Sequence, residues 1–342
     1  MPPNLSSLVP TMASIPPPPP PPRVVVSQRH CFERDLSAPC ALVLLNTPVA
    51  GAEGARALRR AWRAAHWLRA CADGAADRLR LAPGCAHLAP DLIAGDWDSI
   101  SAEGEAHFAR RGVALVKAPE DQDSTDLDKC LRQVALRAAD PADARVAAAG
   151  GARAVRVIVF GAFGGRLDQE AQNLNALFAW RASFAQITLL SAECVAALLP
   201  AGRSLLRVAA PFEGPTCGLL PLGAPVERLS TRGLHWDVTD WATSFGGRVS
   251  TSNRVERYPA RGAREDAVVE VDSSGDIVWT ASCRPADEDG DEEALEEEQR
   301  GETWGAAGGA ADGAAGGAAG SGGDAAGSGG GSGGSELSAS AS

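Results

Sequence analysis

The sequence predicts an α/β N-terminal domain with a mostly parallel sheet, followed by a C-terminal all-β sandwich domain. Three observations predict it. Short apolar runs recur between about residues 40 and 190, and Ala-, Arg- and Leu-rich segments of helix length separate several of them. Beyond about residue 200 the helix-length segments stop, and β-like runs alternate with Gly, Pro, Ser and Thr. Parallel strands need a long crossover, usually a helix, whereas antiparallel strands need only a turn. The first pattern therefore reads as strand–helix repeats and the second as a compact antiparallel unit.

The elements follow in order. Residues 41–45 are continuously apolar, as a strand buried on both faces must be. Residues 53–68, which include Trp62 and Trp67, read as a helix. Strand candidates follow at 69–72, ending at Asp73, and at 91–94, ending in Gly95-Asp96-Trp97-Asp98. Residues 113–117 form a third. A helix is expected over 126–138, with Thr125 and Asp128 spaced as a capping box in which Asp replaces the usual Glu. The strand at 155–160 runs into the glycine turn 161–165, and a helix follows from 167 to about 180. Residues 187–190 close the series. The Ala- and Gly-rich stretch 141–153 reads as a surface insertion. In the second half, β-like runs fall at 205–209, 217–220, 226–231, 248–251, 267–271 and 277–281.

Composition bounds the folded part. Residues 1–36 carry an unbroken proline run from Pro16 to Pro22, and residues 286–342 hold an acidic run and then a Gly/Ala/Ser tract. Neither has the apolar side chains needed to offset backbone ordering, so both are expected to be disordered. This leaves an α/β domain over 37–200 and a β domain over 201–285. Nine acidic residues lie between Asp287 and Glu298, and taking them from a net charge of −11 leaves −2. The acidity belongs to the tail, whose expected role is solubility or attraction of a basic partner. No Lys/Arg stripe marks a nucleic-acid footprint, and no apolar run is long enough to span a membrane.

Eight cysteines occur with no Cys-x-x-Cys pair and no zinc-like spacing, which suits free thiols in a reducing compartment. The first thirty residues lack the apolar core of a secretory signal. They are poor in acids and contain Ser and Arg, as an organellar transit peptide would, while the proline run opposes the amphipathic helix of such peptides. The cytoplasm is the expected location, with the transit peptide left open.

Candidate chemistry gathers where open α/β sheets bind ligands, beyond the carboxyl ends of the strands. Asp73, Asp96 and Asp98, Asp123 and Asp126, and Asp168 lie at or just past four successive strand ends. On an extended backbone Asp96 and Asp98 would point the same way. Asp123 and Asp126 are three residues apart at a helix start and can share a face. Any one such Asp is what a turn or helix cap commonly uses. Several together repel unless a cation sits among them, and magnesium takes one or two carboxylates plus phosphate oxygens. The glycine turn 161–165 can present backbone N–H groups to a phosphate, or can be a plain strand-to-helix turn; Arg166 directly after it suits phosphate. In the β domain, Trp236 offers a face for a flat cationic ring, and residues 250–253 (Ser-Thr-Ser-Asn) offer hydroxyls and an amide. Trp241 and Trp279 read as core packing, and His235 as structural.

These segments, in this order, resemble the thiamin pyrophosphokinase family. The matching stretches are Cys71-Ala72-Asp73-Gly74 with Arg78 and Leu79, the run 90–100 (PDLIAGDWDSI), the run 121–127 (DQDSTDL) and the run 164–169 (GGRLDQ). The second half adds 217–223 (CGLLPLG), 233–236 (GLHW), 250–253 and Trp279-Thr280. Gln169, where bacterial members tend to carry His, is closer to the eukaryotic branch. The resemblance implies an ATP-dependent diphosphotransferase, a homodimer with active sites at the subunit interface, that gives AMP and thiamin diphosphate from ATP and thiamin. It implies magnesium on Asp96, Asp98 and Asp126, and a nucleotide and diphosphate region of Asp73, Gln122, Thr125, Arg166, Asp168 and Gln169. Trp236 would stack on thiamin with Ser250 and Asn253 nearby, and Asp123 or Asp168 would take the hydroxyl proton. The chain departs from the family pattern at Ala75 and Asp77. Two other readings compete: diphosphate transfer to another hydroxymethyl heterocycle, opposed by the match at Trp236 and 250–253, and a non-catalytic thiamin or nucleotide binder, opposed by the intact set of acids.

Overall fold

The structure, a computed structural model, describes residues 24–259 and 265–284. The proline run and the acidic and Gly/Ala/Ser tail lie outside the described residues.

Among the described residues, strands form two sheets. The larger begins with β2 (Cys40–Leu44), all five of whose residues are buried. It pairs in parallel with β3 (Leu68–Ala72) on one side and β6 (Arg156–Phe160) on the other. From β3 the sheet continues in parallel through β4 (Leu92–Gly95) to β5 (Ala114–Lys117), and from β6 to β7 (Gln186–Leu190). The chain thus builds outward from β2 in one direction and then returns to build in the other. The order reverses between β2 and β6, and this is where such sheets leave a crevice.

Crossover helices cover the sheet for reasons visible in their spacing. In α1 (Gly51–Ala64) the buried residues Ala55, Leu58, Ala61 and Trp62 recur at helical intervals. In α4 (Asp126–Ala138) Leu127, Cys130, Leu131, Val134 and Ala138 do the same. The capping box at Thr125 and Asp128 is formed in both directions, which settles two N–H groups at the start of α4. Asp128 also accepts a hydrogen bond from Trp180 Nε1 (2.8 Å), tying α4 to the end of α6 (Leu167–Ala179). Three further helices are α2 (Asp73–Leu81), α3 (Ala102–Arg110) and the short α5 (Ala144–Ala149). Asp77 accepts from Ser101 N (2.7 Å) and Ser101 Oγ (2.9 Å), so it fastens α2 to the start of α3.

The sheet that holds the parallel strands does not end at residue 200. Strand β8 (Cys194–Leu199) runs antiparallel to β7 and, on its other edge, to β15 (Ile277–Cys283). Beyond β15 come β10 (Glu213–Leu220) and β13 (Ser250–Arg254). One sheet therefore crosses the expected boundary: the short link at Pro200 and Ala201 carries the chain from β8 into the other sheet, while β15 returns to pair with β8. The second sheet has the order β1 (Val24–Ser27), β9 (Gly202–Val208), β14 (Ala267–Ser273), β11 (Val226–Arg232) and β12 (Trp241–Thr243). In β14, Ala267, Val269 and Val271 are buried while Val268 is exposed, the alternation of a sheet with one face on the core.

Strand β1 corrects the expectation that residues 24–36 share the disorder expected of the N-terminus. It pairs in parallel with β9, Val26 is buried, and so are His30 and Cys31 in the 3-10 turn that follows. Phe32 stacks on Phe212 with ring centroids 5.1 Å apart. A three-valine run after prolines carries no local signal of this, since the pairing partner is about 180 residues away. The elements α2, α3, α5, β8 and β12 were likewise not among the expected ones.

Candidate active site

The crevice between β2 and β6 is lined by the loops that leave these strands. The Thr47 hydroxyl donates to the carbonyl of Gly161 (2.6 Å), closing one loop on the other. A cleft of about 460 Å³ opens there, lined by Asn46, Asp96, Asp98, Asp126, Lys129 and Arg166 among others.

Three carboxylates converge at its floor. Asp73, Asp96 and Asp126 each offer an oxygen, and these atoms lie within 4.8 Å of one another. Asp73 is fully buried, and its carboxylate accepts from the backbone N–H of Gly74 and of Trp97. Gly95 allows this: a Cβ there would stand 2.5 Å from Asp73 Cγ. The Lys129 side chain, 4 % exposed, reaches Asp96 (3.2 Å) and Asp126 (3.4 Å). Burial, followed by the charge of Asp73, pushes Asp126 up to about 6. Burial also acts to raise Asp96, but hydrogen bonds from Lys129 and from the Asp98 backbone hold it below the usual carboxylate range.

This grouping differs from the expected Asp96, Asp98 and Asp126. Asp98 lines the same cleft, yet it stands outside the trio, and Asp73 is inside it. The expectation that Asp96 and Asp98 point the same way assumed extended backbone between them. Instead Trp97 has φ 73°, turning the chain just after β4, and Asp98 accepts from the Ser99 hydroxyl (2.7 Å).

Of the other expected nucleotide residues, Thr125, Arg166 and Gln169 line the cleft. Gln122 and Asp123 are exposed and outside its lining, and Gln122 donates to the carbonyl of Pro119 (3.0 Å). Asp168 forms a two-point pair with Arg166, at 3.1 and 2.5 Å, and these bonds hold its carboxyl below the usual range. In this conformation neither Asp123 nor Asp168 is a free base inside the cleft. The glycine turn also differs from the phosphate-cradle reading, because the N–H groups of Gly164 and Gly165 both donate to Glu170.

A second cavity, of about 360 Å³, lies in the β half. Trp236, Trp241, Arg248, Ser250 and Asn253 contribute to its wall. Trp236 is 59 % exposed, unusual for an indole without a ligand role. Its backbone N–H donates to Asn253 Oδ1 (3.2 Å) and its carbonyl accepts from Asn253 Nδ2 (3.1 Å). The buried Asn253 amide thus holds the Trp236 backbone, and Ser250 carries the nearby hydroxyl. His235 stands edge-on to the Trp236 ring and pairs with Glu256 (2.8 Å). Trp279 is fully buried in the core, as expected. Trp241, half-buried, packs against the core as expected and also lines the cavity, with the Arg248 guanidinium over its ring at 5.7 Å.

Residues 58–189 match the family model "Thiamin pyrophosphokinase, catalytic domain", and residues 204–273 match "Thiamin pyrophosphokinase, vitamin B1 binding domain". Thiamine pyrophosphokinase 1 of Oryza sativa subsp. japonica is 34 % identical over 262 residues, covering 73 % of this chain and 89 % of its own. Thiamine pyrophosphokinase 1 of Arabidopsis thaliana is 34 % identical over 266 residues, covering 74 % and 90 %. The chain belongs to the thiamin pyrophosphokinase family. A crystal structure of yeast thiamin pyrophosphokinase has the same fold, with a TM-score of 0.64 at 23 % identity, covering 77 % of this chain and 92 % of the yeast chain. The acidic floor of the cleft falls within the catalytic-domain match of this family member, and the Trp236 cavity falls within the vitamin B1 match.

Lys129, Asn46 and Thr47 are site residues that the sequence reading passed over. Lys129 had a usable signal: it lies three residues after Asp126 on a predicted helix, so the two had to share a face. Asn46 and Thr47 had only their place after the first strand of the sheet, the position at which a switch-point loop stands.

Proposed function

We propose that this chain transfers the diphosphate of ATP to the hydroxyl of thiamin, releasing AMP and thiamin diphosphate. The observation that carries the proposal is the pairing of two unlike cavities in one family member. One is polar, acidic and at the switch point of the sheet; the other presents an exposed indole with hydroxyls and an arginine around it.

The residues divide the work. Trp236, held by Asn253, supplies a face on which a flat cationic ring stacks. Arg166 at the cleft wall offers a fork suited to phosphate oxygens. Alignment and charge neutralisation are most of what a phosphoryl-transfer site must provide. The thiamin oxygen forms the new bond to the β-phosphorus, the bond from that phosphorus to the AMP oxygen breaks, and a cleft carboxylate takes the hydroxyl proton.

The donor set fits magnesium. Asp73, Asp96 and Asp126 with Lys129 leave two formal negative charges, which one divalent cation balances, and every donor is a hard oxygen. Asp96 and Asp126 would hold it, together with Asp73 or Asp98. When bound it would neutralise charge on the phosphate oxygens. Lys129 meanwhile keeps the Asp96 and Asp126 carboxylates together at the cleft floor.

A homodimer with the site at the subunit interface is part of the same proposal. The two cavities share no lining residue within one chain, and a cavity from each of two copies would bring them together. Cytoplasmic residence is supported by the eight free cysteines, six of them buried. No helix among the described residues is long and apolar enough to cross a membrane.

Two substitutions separate the roles. Asp96→Asn lowers kcat by about 10²–10³-fold with the fold retained. Trp236→Ala instead raises KM for thiamin. An Asp96→Asn variant turning over at close to the wild-type rate would overturn the assignment of the cleft.

A further inference from the structure

We infer that Glu170 is a positioning residue for the phosphate-binding arm, an inference that rests on the function proposed above. Arg166 is the last of the six residues (161–166) between β6 and α6. Arg166 is also the N-cap of α6, but its side chain makes no capping hydrogen bond. The helix start is instead tied from within. Glu170 Oε1 accepts from Gly164 N (2.9 Å) and Gly165 N (3.0 Å), while the Glu170 backbone N–H donates to the Arg166 carbonyl (3.0 Å).

These bonds enclose Arg166 on both sides. Gly164 has φ +96°, a conformation open to glycine, so the turn needs an external restraint to stay in this one state. Two other side chains hold its upstream half: Thr47 at the Gly161 carbonyl (2.6 Å), and the buried Asn173 at the Ala162 carbonyl (2.9 Å). Glu170 is the restraint on the downstream half, next to Arg166 itself. It does not line the cleft, so it acts through Arg166 and not on substrate.

The contact also decides how phosphate is recognised. With both glycine N–H groups given to a carboxylate, the turn has no free amide cradle there, and recognition falls to the Arg166 guanidinium, which phosphate takes over from its two-point partner Asp168. A carboxylate accepting two N–H groups is a charge-assisted arrangement stronger than a neutral one. Its loss frees the turn and with it the direction of Arg166.

The test compares full-length Glu170→Ala, Glu170→Gln and Glu170→Asp with wild type and Arg166→Ala, measuring thiamin-dependent AMP formation against ATP concentration. Glu170→Ala is expected to raise KM for ATP about tenfold, with kcat changed much less, since binding geometry is lost before chemistry. Glu170→Gln, whose amide oxygen still accepts, is expected to recover most of that loss. If Glu170→Ala does not fold by circular dichroism, Glu170→Asp, too short to reach both N–H groups, is expected to show the same KM rise. An unchanged KM in the folded Ala or Asp variant would overturn the inference, as would a lowered KM, which would make Glu170 a competitor for the phosphate. Wild-type enzyme that forms no AMP would defeat the proposed function itself, a result distinct from either.

Discussion

Gly95 is a residue whose role rests on what stands beside it. The Asp73 carboxylate occupies the space its side chain would take, so Gly95→Ala displaces one member of the acidic trio. We expect Gly95→Ala to cost about 1–3 kcal/mol of stability, through overpacking, and at least about tenfold in turnover. Denaturant melts and steady-state rates on the same preparation check both. Glu213 gives a second residue-scale expectation. It is fully buried, both carboxylate oxygens lack a hydrogen-bond partner, and burial pushes it up to about 8 from an ordinary 4.5. The folded chain therefore holds a proton on Glu213 that the unfolded chain releases above pH 4.5. Stability from this group is full below that pH and is lost as pH rises through about 8, by roughly 2–5 kcal/mol. Glu213→Gln, neutral throughout, should flatten the fall in melting temperature between pH 5.5 and 8.5; an equally steep fall would exclude Glu213 as its source. At this scale the sequence was most informative where chemistry sits at element ends. Asp96 and Asp126 were legible because a strand end and a helix start fix them. The direction of Asp98, which lines the same cleft, was not legible because the left-handed turn at Trp97, a conformation rare for a residue with a Cβ, has no sequence signature.

Elements divide into those that carry their own signal and those that exist through a distant partner. The helix at 126–138 showed its cap, its period and its end in the sequence, and α4 has those bounds. Five strands of the parallel half, β2, β3, β4, β6 and β7, were legible as apolar runs because both of their faces are covered, whereas β5 at the sheet edge is only half-buried. Strand β1 was not, since it is four residues long and its stability comes from β9. A chain that begins at residue 37 should therefore be less stable than one that begins at 24, by about 2–4 kcal/mol. It loses the pairing to β9, the burial of Val26 and Cys31, and the Phe32–Phe212 stack. Equal melting temperatures for the two chains would show that β1 contributes nothing. The link between α4 and α6 is smaller: Trp180→Phe removes the bond to Asp128 and should cost about 1 kcal/mol.

At the scale of the molecule, one large sheet joins a parallel half that positions carboxylates with an antiparallel half that presents an indole. The change in composition near residue 200 made the two halves legible, although the continuity of the sheet across them was hidden. That continuity depends on β15 pairing with β8, a contact some eighty residues apart that no local period encodes. Light scattering on the full chain should return twice the mass of one chain, 35.2 kDa, if two copies complete the site. A monomer with full activity would contradict the interface arrangement.

The decisive measurement is AMP formation from ATP and magnesium by the purified full chain, with and without thiamin. AMP that appears only with thiamin, in equal amount to thiamin diphosphate, is the expected result. Thiamin bound with no AMP formed, or AMP formed at the same rate without thiamin, would contradict diphosphate transfer to thiamin.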